Sequence, residues 1–343
     1  MAEFEALLVD ELEDEELLLF FDGDTDQEPY PNNWPRFELE RYSDSECLTM
    51  FRFHKDDIYK LARLFQLPEE TKAESRIVWN AIEGLCIMLR RLVYPNRLRD
   101  LMPIFGRPES CLSIIFNSVV KHVYEHFSHL ITNLNHPWLS HDKLLDYASV
   151  VHNSGAPVTR CWGFIDGTVM PIKNQREVYN GHKRTHALKY QSLVIPNSIV
   201  ANLFGPIEGR RHDAALLAES DLMNNIRYFA DENMPLCIYG DSAYPLNEHL
   251  LCPYKGGLIT EDQEKFNKSM SSARQCVEWT FGKISTLFAF VDYKKNQKLY
   301  LQPVGMYYSV CAILTNCHTC LYGSQTASYF NVEPPQLEEY LTE

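Results

Sequence analysis

Trp162-Gly-Phe-Ile-Asp-Gly-Thr168 is an apolar run that ends on a carboxylate followed by glycine. Its residue types read as a buried strand leading into Asp166, with Val169 to Ile172 extending it. Leu188 to Ile195 and Ser198 to Phe204 read as two further strands joined by Pro196-Asn197. A helix is expected over 213–220 with Asp213 at its N-cap. Leu236-Cys-Ile-Tyr239 is then a short buried strand ending in Gly240-Asp241. Helical periodicity returns from about 265 to 287, and 303–322 is a strongly apolar last helix. Strands, a helix, a strand and helices describe an α/β domain over 151–325, with 326–343 as a C-terminal tail.

Upstream of that strand the pattern is helical. Ile58, Leu61, Leu64 and Phe65 share one face, so a helix is expected over 54–66, ending at Pro68. Segments 78–92, 97–105 and 109–126, separated by Tyr94-Pro-Asn and by Gly106 and Pro108, read as a helix-turn-helix inside a small all-α domain spanning 36–150. Between 76 and 125 seven Lys or Arg face four Asp or Glu, a net +3. Such a unit serves DNA contact or a plain helical bundle, and both readings stand at this point.

The charge is unevenly spread. The net −14 includes −12 from residues 1–28, which hold twelve Asp or Glu and no Lys or Arg. The rest of the chain is therefore nearly neutral, and local basic patches can dominate the field around it. Residues 1–35 read as an acidic, disordered leader or interaction tail. Its apolar patch, Leu17 to Phe21, is flanked by acids where a signal peptide would be basic, and no apolar run is long enough to span a membrane. An intracellular chain with no membrane partner is expected. The ten cysteines are scattered, which suits reduced, buried thiols. Cys317 and Cys320 could be zinc ligands only with further partners, and a helix with small buried thiols is the alternative.

Three carboxylates carry the chemistry. Asp166 and Asp241 each follow an apolar strand, where α/β sheets place ligands. Glu278 lies in a helix, four residues after Arg274 and on the same face. Two strand acids and a helix acid could hold two Mg²⁺ ions for phosphodiester cleavage, since hard cations take oxygen ligands. Each acid also has a plainer reading: a turn former before Gly167, a cap for the loop after Asp241, a surface partner for Arg274. Asp213 is a helix cap or an accessory metal or water ligand, with His212 beside it. Segment 179–191 carries Lys183, Arg184, His186 and Lys189 among aromatics, which suits a DNA strand end or a solvated basic hairpin.

From about residue 75 onward the chain resembles the PIF/Harbinger transposases. The matching stretches, in the family's order, are Gly163-Phe-Ile-Asp-Gly-Thr168, Tyr179-Asn-Gly-His-Lys-Arg-Thr-His-Ala-Leu-Lys-Tyr-Gln191, Gly205-Pro-Ile-Glu-Gly-Arg-Arg-His-Asp213, Gly240-Asp-Ser-Ala-Tyr-Pro245 and Arg274-Gln-Cys-Val-Glu-Trp-Thr-Phe-Gly282. The resemblance implies an RNase H-like mixed sheet flanked by helices, and a DDE triad of Asp166, Asp241 and Glu278, spaced by 75 and 37 residues. Arg274-x-x-x-Glu278 is also similar to a signature of bacterial insertion-sequence transposases. There a tyrosine precedes the arginine by three residues, where this chain has Ser271, and Ser285 replaces a downstream lysine, with Lys283 close by.

What the resemblance implies about activity is a DNA endonuclease and strand transferase using Mg²⁺, or Mn²⁺ as a substitute, that cuts at transposon ends and joins the 3′ ends to target DNA. The alternatives are a domesticated, non-catalytic DNA-binding or scaffold protein, or a nuclease that cuts without transposing. Arg210 and Arg211 join Lys183, Arg184, His186 and Lys189 as candidate DNA contacts. The family also implies a separate Myb-like protein that supplies DNA binding and nuclear entry, and a homo-oligomer is a further expectation. Lys294-Lys295 is too short for an import signal, so nuclear location is expected with the partner and cytoplasmic location without it.

Overall fold

The computed structural model describes residues 34–72, 77–172, 179–180, 185–229, 236–294 and 302–342. Residues 1–33 of the acidic leader, Lys183 and Arg184 lie outside them. The chain divides into two compact units, one of residues 1–127 and 285–311, the other of 128–284 and 312–343.

The first unit is built from helices and one small hairpin. Helices α1 (Asp44–Phe51) and α2 (Lys55–Leu64) precede strands β1 (Glu70–Lys72) and β2 (Val78–Asn80), which pair antiparallel. Next come α3 (Ala81–Val93), α4 (Leu98–Phe105) and α5 (Glu109–Phe127). The expected three-helix order is present, with 78–80 extended rather than helical. Asn80 explains the late start of α3: its side chain accepts from the Glu83 backbone N–H at 2.8 Å, a cap contributing about 1 kcal/mol. Gly106 ends α4 at φ 62°, and a Cβ there would lie 2.5 Å from the Pro35 carbonyl oxygen.

Much of the basic charge of this unit is spent internally. Arg107 makes a two-pronged pair with Glu83, Nε to Oε1 at 2.5 Å and a terminal nitrogen to Oε2 at 2.7 Å. Arg90 lies 4.3 Å from the Tyr94 ring centre, and Arg91 4.9 Å from that of Phe290. Arg99 pairs with Glu109 at 3.0 Å. The net +3 counted from sequence therefore overstates the cations free to meet phosphates.

The second unit holds α6 (His129–Thr132), α7 (His141–Asn153) and a mixed sheet. Its main strands are β3 (Cys161–Pro171), β5 (Thr185–Val194), β6 (Val200–Glu208), β7 (Cys237–Tyr239) and β8 (Leu250–Leu251), while β4 (Tyr179–Asn180) pairs with the start of β5. The lateral order is β6-β5-β3-β7-β8. The pairs β6/β5 and β5/β3 are antiparallel; β3/β7 and β7/β8 are parallel. Cys161, Trp162, Phe164 and Ile165 are all buried, the continuous apolar run of a strand covered on both faces. Helices α8 (Asp213–Glu219) and α9 (Leu222–Phe229) follow β6. The long α10 (Glu261–Leu287) carries Arg274 and Glu278. Then come α11 (Val304–Tyr322), α12 (Gln325–Phe330) and α13 (Leu337–Leu341). The result is a mixed α/β sheet with helices packed against it, consistent with the RNase H-like expectation.

Among the described residues, no helix is long and apolar enough to cross a membrane. The cysteines there are free thiols. Burial pushes the Cys317 thiol up and that of Cys320 to about 12, the setting of inert thiols rather than reactive ones.

Candidate active site

The central observation is one of register. Phe164 of β3 pairs with Tyr239 of β7 in a parallel ladder. Asp166 and Asp241 each stand two residues further on. Asp166 is still within β3, whereas Asp241 lies just past the end of β7. Residues 75 apart in sequence thus come near enough for the charge of Asp241 to act on the Asp166 carboxyl.

Asp166 does not end its strand, in contrast to the simplest reading of Asp-Gly-Thr. β3 continues to Pro171 because Gly167 and Thr168 stay paired with Gln191 and Tyr190 of β5. What ends near Asp166 is β7. Beyond Tyr239 the neighbouring chain turns away, and the acid sits where the sheet opens. Asp241 follows its strand after Gly240, and its Oδ1 accepts from the Ala243 backbone N–H at 2.8 Å. The turn-forming and functional readings of Asp241 are therefore compatible.

Asp166 is held from two sides. Oδ1 accepts from the Gly167 N–H at 2.8 Å, and Oδ2 from a terminal nitrogen of Arg274 at 2.6 Å. Burial raises the Asp166 carboxyl above its ordinary value; Arg274 and the Gly167 N–H oppose that, and the Asp241 charge adds to it. Arg274 also reaches Glu278 at 3.6 Å, so one guanidinium spans the strand acid and the helix acid. The Glu278 side chain is 58% exposed against 18% for Asp166.

Asp213 departs from the cap expected of it. His212 holds the N-cap position and Asp213 is the first helical residue of α8, because its side chain is engaged elsewhere. Asp213 Oδ1 lies 2.9 Å from Lys189 Nζ, a contact that is an ion pair rather than an aligned hydrogen bond. Lys189 also donates to the Arg211 carbonyl at 3.1 Å and is buried, so it is no surface cation. Arg210 pairs with Glu208 at 2.7 Å, and Arg211 pairs with Glu219. Lys283, the nearest stand-in for the signature lysine, donates to Thr319 Oγ1 at 2.9 Å and to the Gly323 carbonyl at 2.8 Å, binding the end of α11. His186 sits in β5, half-buried.

Asp166 and Asp241 fit a divalent cation in donor chemistry, being hard oxygen ligands in a partly desolvated place. Among the described residues, no group of three or more His, Cys, Asp or Glu side chains is gathered closely enough to hold a metal ion. Sequence reasoning missed Tyr244, buried beside the acids, and the role of Lys189 as the partner of Asp213. Tyr244 was within reach, since it lies in the quoted Gly240-to-Pro245 stretch.

Residues 165–316, which include Asp166, Asp213, Asp241 and Glu278, match the family of DDE superfamily endonucleases. The chain is also similar to the Arabidopsis thaliana protein named Protein ALP1-like, 25% identical over 227 residues, which are 61% of this chain and 54% of that protein. The chain thus spans about half the length of that relative. No solved structure matches it. Both matches bear out the resemblance read from the motifs, and the DDE segment begins at Ile165, one residue before the first acid.

Proposed function

We propose that this chain is a metal-dependent DNA endonuclease and strand transferase of the PIF/Harbinger kind, with an RNase H-like nuclease domain over 151–325 and a helical domain over 36–150. The observation that carries the reading is the parallel pairing of Phe164 with Tyr239, two residues before Asp166 and Asp241, with the charge of Asp241 acting on the Asp166 carboxyl. Asp166, Asp241 and Glu278 would hold Mg²⁺ or Mn²⁺, which when bound supplies a polarised water and stabilises the leaving oxygen of a phosphodiester. Arg274 orients the Asp166 carboxylate and offsets part of the charge of the acid group. Lys183, Arg184 and His186 are the basic residues proposed to meet the DNA strand, while Lys189, Arg210 and Arg211 have acid partners inside the protein.

The same reading includes a Myb-like DNA-binding partner, a homo-oligomer and a nuclear site of action. Few cations of the helical unit are unspent, and each phosphate contact needs one, which supports dependence on a partner for tight binding. One observation favours the second reading, a domesticated DNA-binding or scaffold protein without catalysis: both Asp166 oxygens already have protein donors. A nicking assay with Mg²⁺ on DNA carrying the flanking terminal repeats decides between them. Nicking by the wild type and none by Asp166→Asn supports the nuclease; no nicking by either supports the scaffold.

A further inference from the structure

A line of aromatic rings runs from the proposed site to the surface. Phe164 and Asp166 lie one pleat apart in β3, on an unbroken stretch of its ladder with β5, so their side chains leave the same face of the sheet. The Phe164 ring stacks against Phe330 of α12, with centres 6.1 Å apart and planes at 17°. Phe330 meets Tyr329 edge to face at 4.8 Å, and Tyr329 meets Trp279 of α10 edge to face at 5.6 Å. Trp279 follows Glu278 directly. The line therefore begins two residues from one acid and ends one residue from another.

The inner end of this line is core and the outer end is not. Phe164 and Phe330 are buried, whereas Tyr329 is 42% exposed and Trp279 is half-buried. One turn beyond Glu278, at Gly282, α10 is bare: a Cβ there would meet nothing within 4 Å. Gly282 is four residues after Glu278 and three after Trp279, so it shares a helix face with both. A glycine inside a helix weakens it, and no crowding at 282 calls for one. Ring surface beside a bare stretch of helix leaves room for a flat group to lie against Trp279. The place suits a ring better than a phosphate. Lys283, the basic residue next to Gly282, is turned inward to Thr319 and Gly323, and the charged residue on the open face is the acid Glu278.

We propose that Trp279 and Tyr329 form a stacking ledge for one unpaired nucleobase of the DNA strand that passes Asp166 and Glu278. The proposal rests on the reading of this chain as a DNA endonuclease. Every base has a π face, so such a ledge accepts any of the four and fixes the position of the strand rather than its sequence. The two residues are positioning residues: they hold the base, and the base holds the neighbouring phosphodiester in place before the acids.

The test is fluorescence anisotropy of the full-length protein with a duplex that carries a single-stranded thymidine tail, in EDTA so that no cut occurs. One abasic position is moved along the tail. The wild type should lose about 10-fold in affinity when that position falls at one place, and little elsewhere. Trp279→Ala should lose about 10-fold on the intact tail and nothing further at that place, because one contact can be removed only once. Trp279→Phe should keep the abasic pattern, and Tyr329→Ala should weaken it by about 3-fold. A uniform abasic profile in the wild type, or the full abasic loss persisting in folded Trp279→Ala, overturns the ledge. Thermal melting checks folding; where Trp279→Ala does not fold, Tyr329→Ala decides, and an unchanged profile in it overturns the ledge. Mg²⁺-dependent nicking by the wild type is read in parallel. Its absence with the abasic pattern intact overturns the endonuclease reading and leaves the ledge as a DNA-binding surface, whereas nicking with a uniform profile does the reverse.

Discussion

Among the described residues, one buried and one half-buried arginine–carboxylate pair are built differently. Glu83 and Arg107 are 7% and 8% exposed, and Arg107 reaches both carboxylate oxygens and the Val78 carbonyl. Asp166 and Arg274 are each 18% exposed; Arg274 takes one oxygen, reaches a second acid, and leaves Asp166 under the charge of Asp241. The first pair is closed, with the acid and base satisfying each other. The second is open, with more negative charge than its arginine can answer. A buried pair alone indicates little about function, since structural ion pairs are common. A like charge acting on the pair is what separates the two, because that arrangement costs stability, and the proposed cation would offset it.

The comparison can be broken in several ways. The largest effect is expected at the open pair's neighbour. Asp241→Asn keeps size and hydrogen bonding but removes charge, so metal-dependent DNA nicking should fall by about 1000-fold or more while the melting temperature holds. Near-wild-type nicking by that folded variant would remove Asp241 from the site. The next effect belongs to the closed pair. Arg107→Ala should cost about 3–5 kcal/mol in denaturant unfolding, because it strands Glu83 without a partner. Arg274→Ala should cost less than half as much, since Asp166 keeps the Gly167 N–H and, with its carboxyl already raised, can take a proton. Equal costs would erase the distinction between closed and open.

The smallest effect sharpens the comparison with a half-buried cation whose hydrogen-bond partners among the described residues, Thr319 and Gly323, are neutral. Burial lowers the Lys283 ammonium to about 8 from 10.5. Its folded value lies below its unfolded one, so the folded state binds fewer protons between the two. Stability should therefore rise as pH climbs from about 8 toward 10.5, and the penalty is full below that window. Lys283→Met should remove this rise, which urea unfolding at a series of pH values would reveal.

Much of this was legible in the residues. The apolar run 161–165, the strands through 194 and 204, and the helices at 98, 109 and 304 follow from periodicity and turn chemistry, because burial and pleating act locally. The quoted motifs pointed to the DDE family, which the match over 165–316 supports. What could not be read is set by contacts across the sheet. Asp213 looks like a cap in sequence, since Asp commonly opens helices; in the structure His212 holds the cap and Asp213, in the first turn, pairs with Lys189. Lys189 looked like a surface cation because charge carries no sign of which face of a strand it occupies without the register. Arg90, Arg91, Arg99 and Arg107 counted as basic charge, yet their partners lie on rings, carbonyls and acids that a sum over residues does not see.

Asn316 of α11 has a consequence for how copies of this protein meet. Its side-chain oxygen accepts from the Val200 N–H at 2.9 Å, its nitrogen donates to the Val200 carbonyl at 3.0 Å, and it reaches the Tyr340 hydroxyl at 2.9 Å. Val200 opens β6, the border of the ladder on the side away from β7. One amide thereby imitates the backbone of a missing neighbour and uses up both hydrogen-bonding groups that a stray strand would seek. Borders left bare are where sheets grow from one molecule into the next and end as aggregate. At Val200 that growth is stopped by a single side chain, so any self-association of the folded chain has to be made by side-chain surfaces there rather than by extending the ladder.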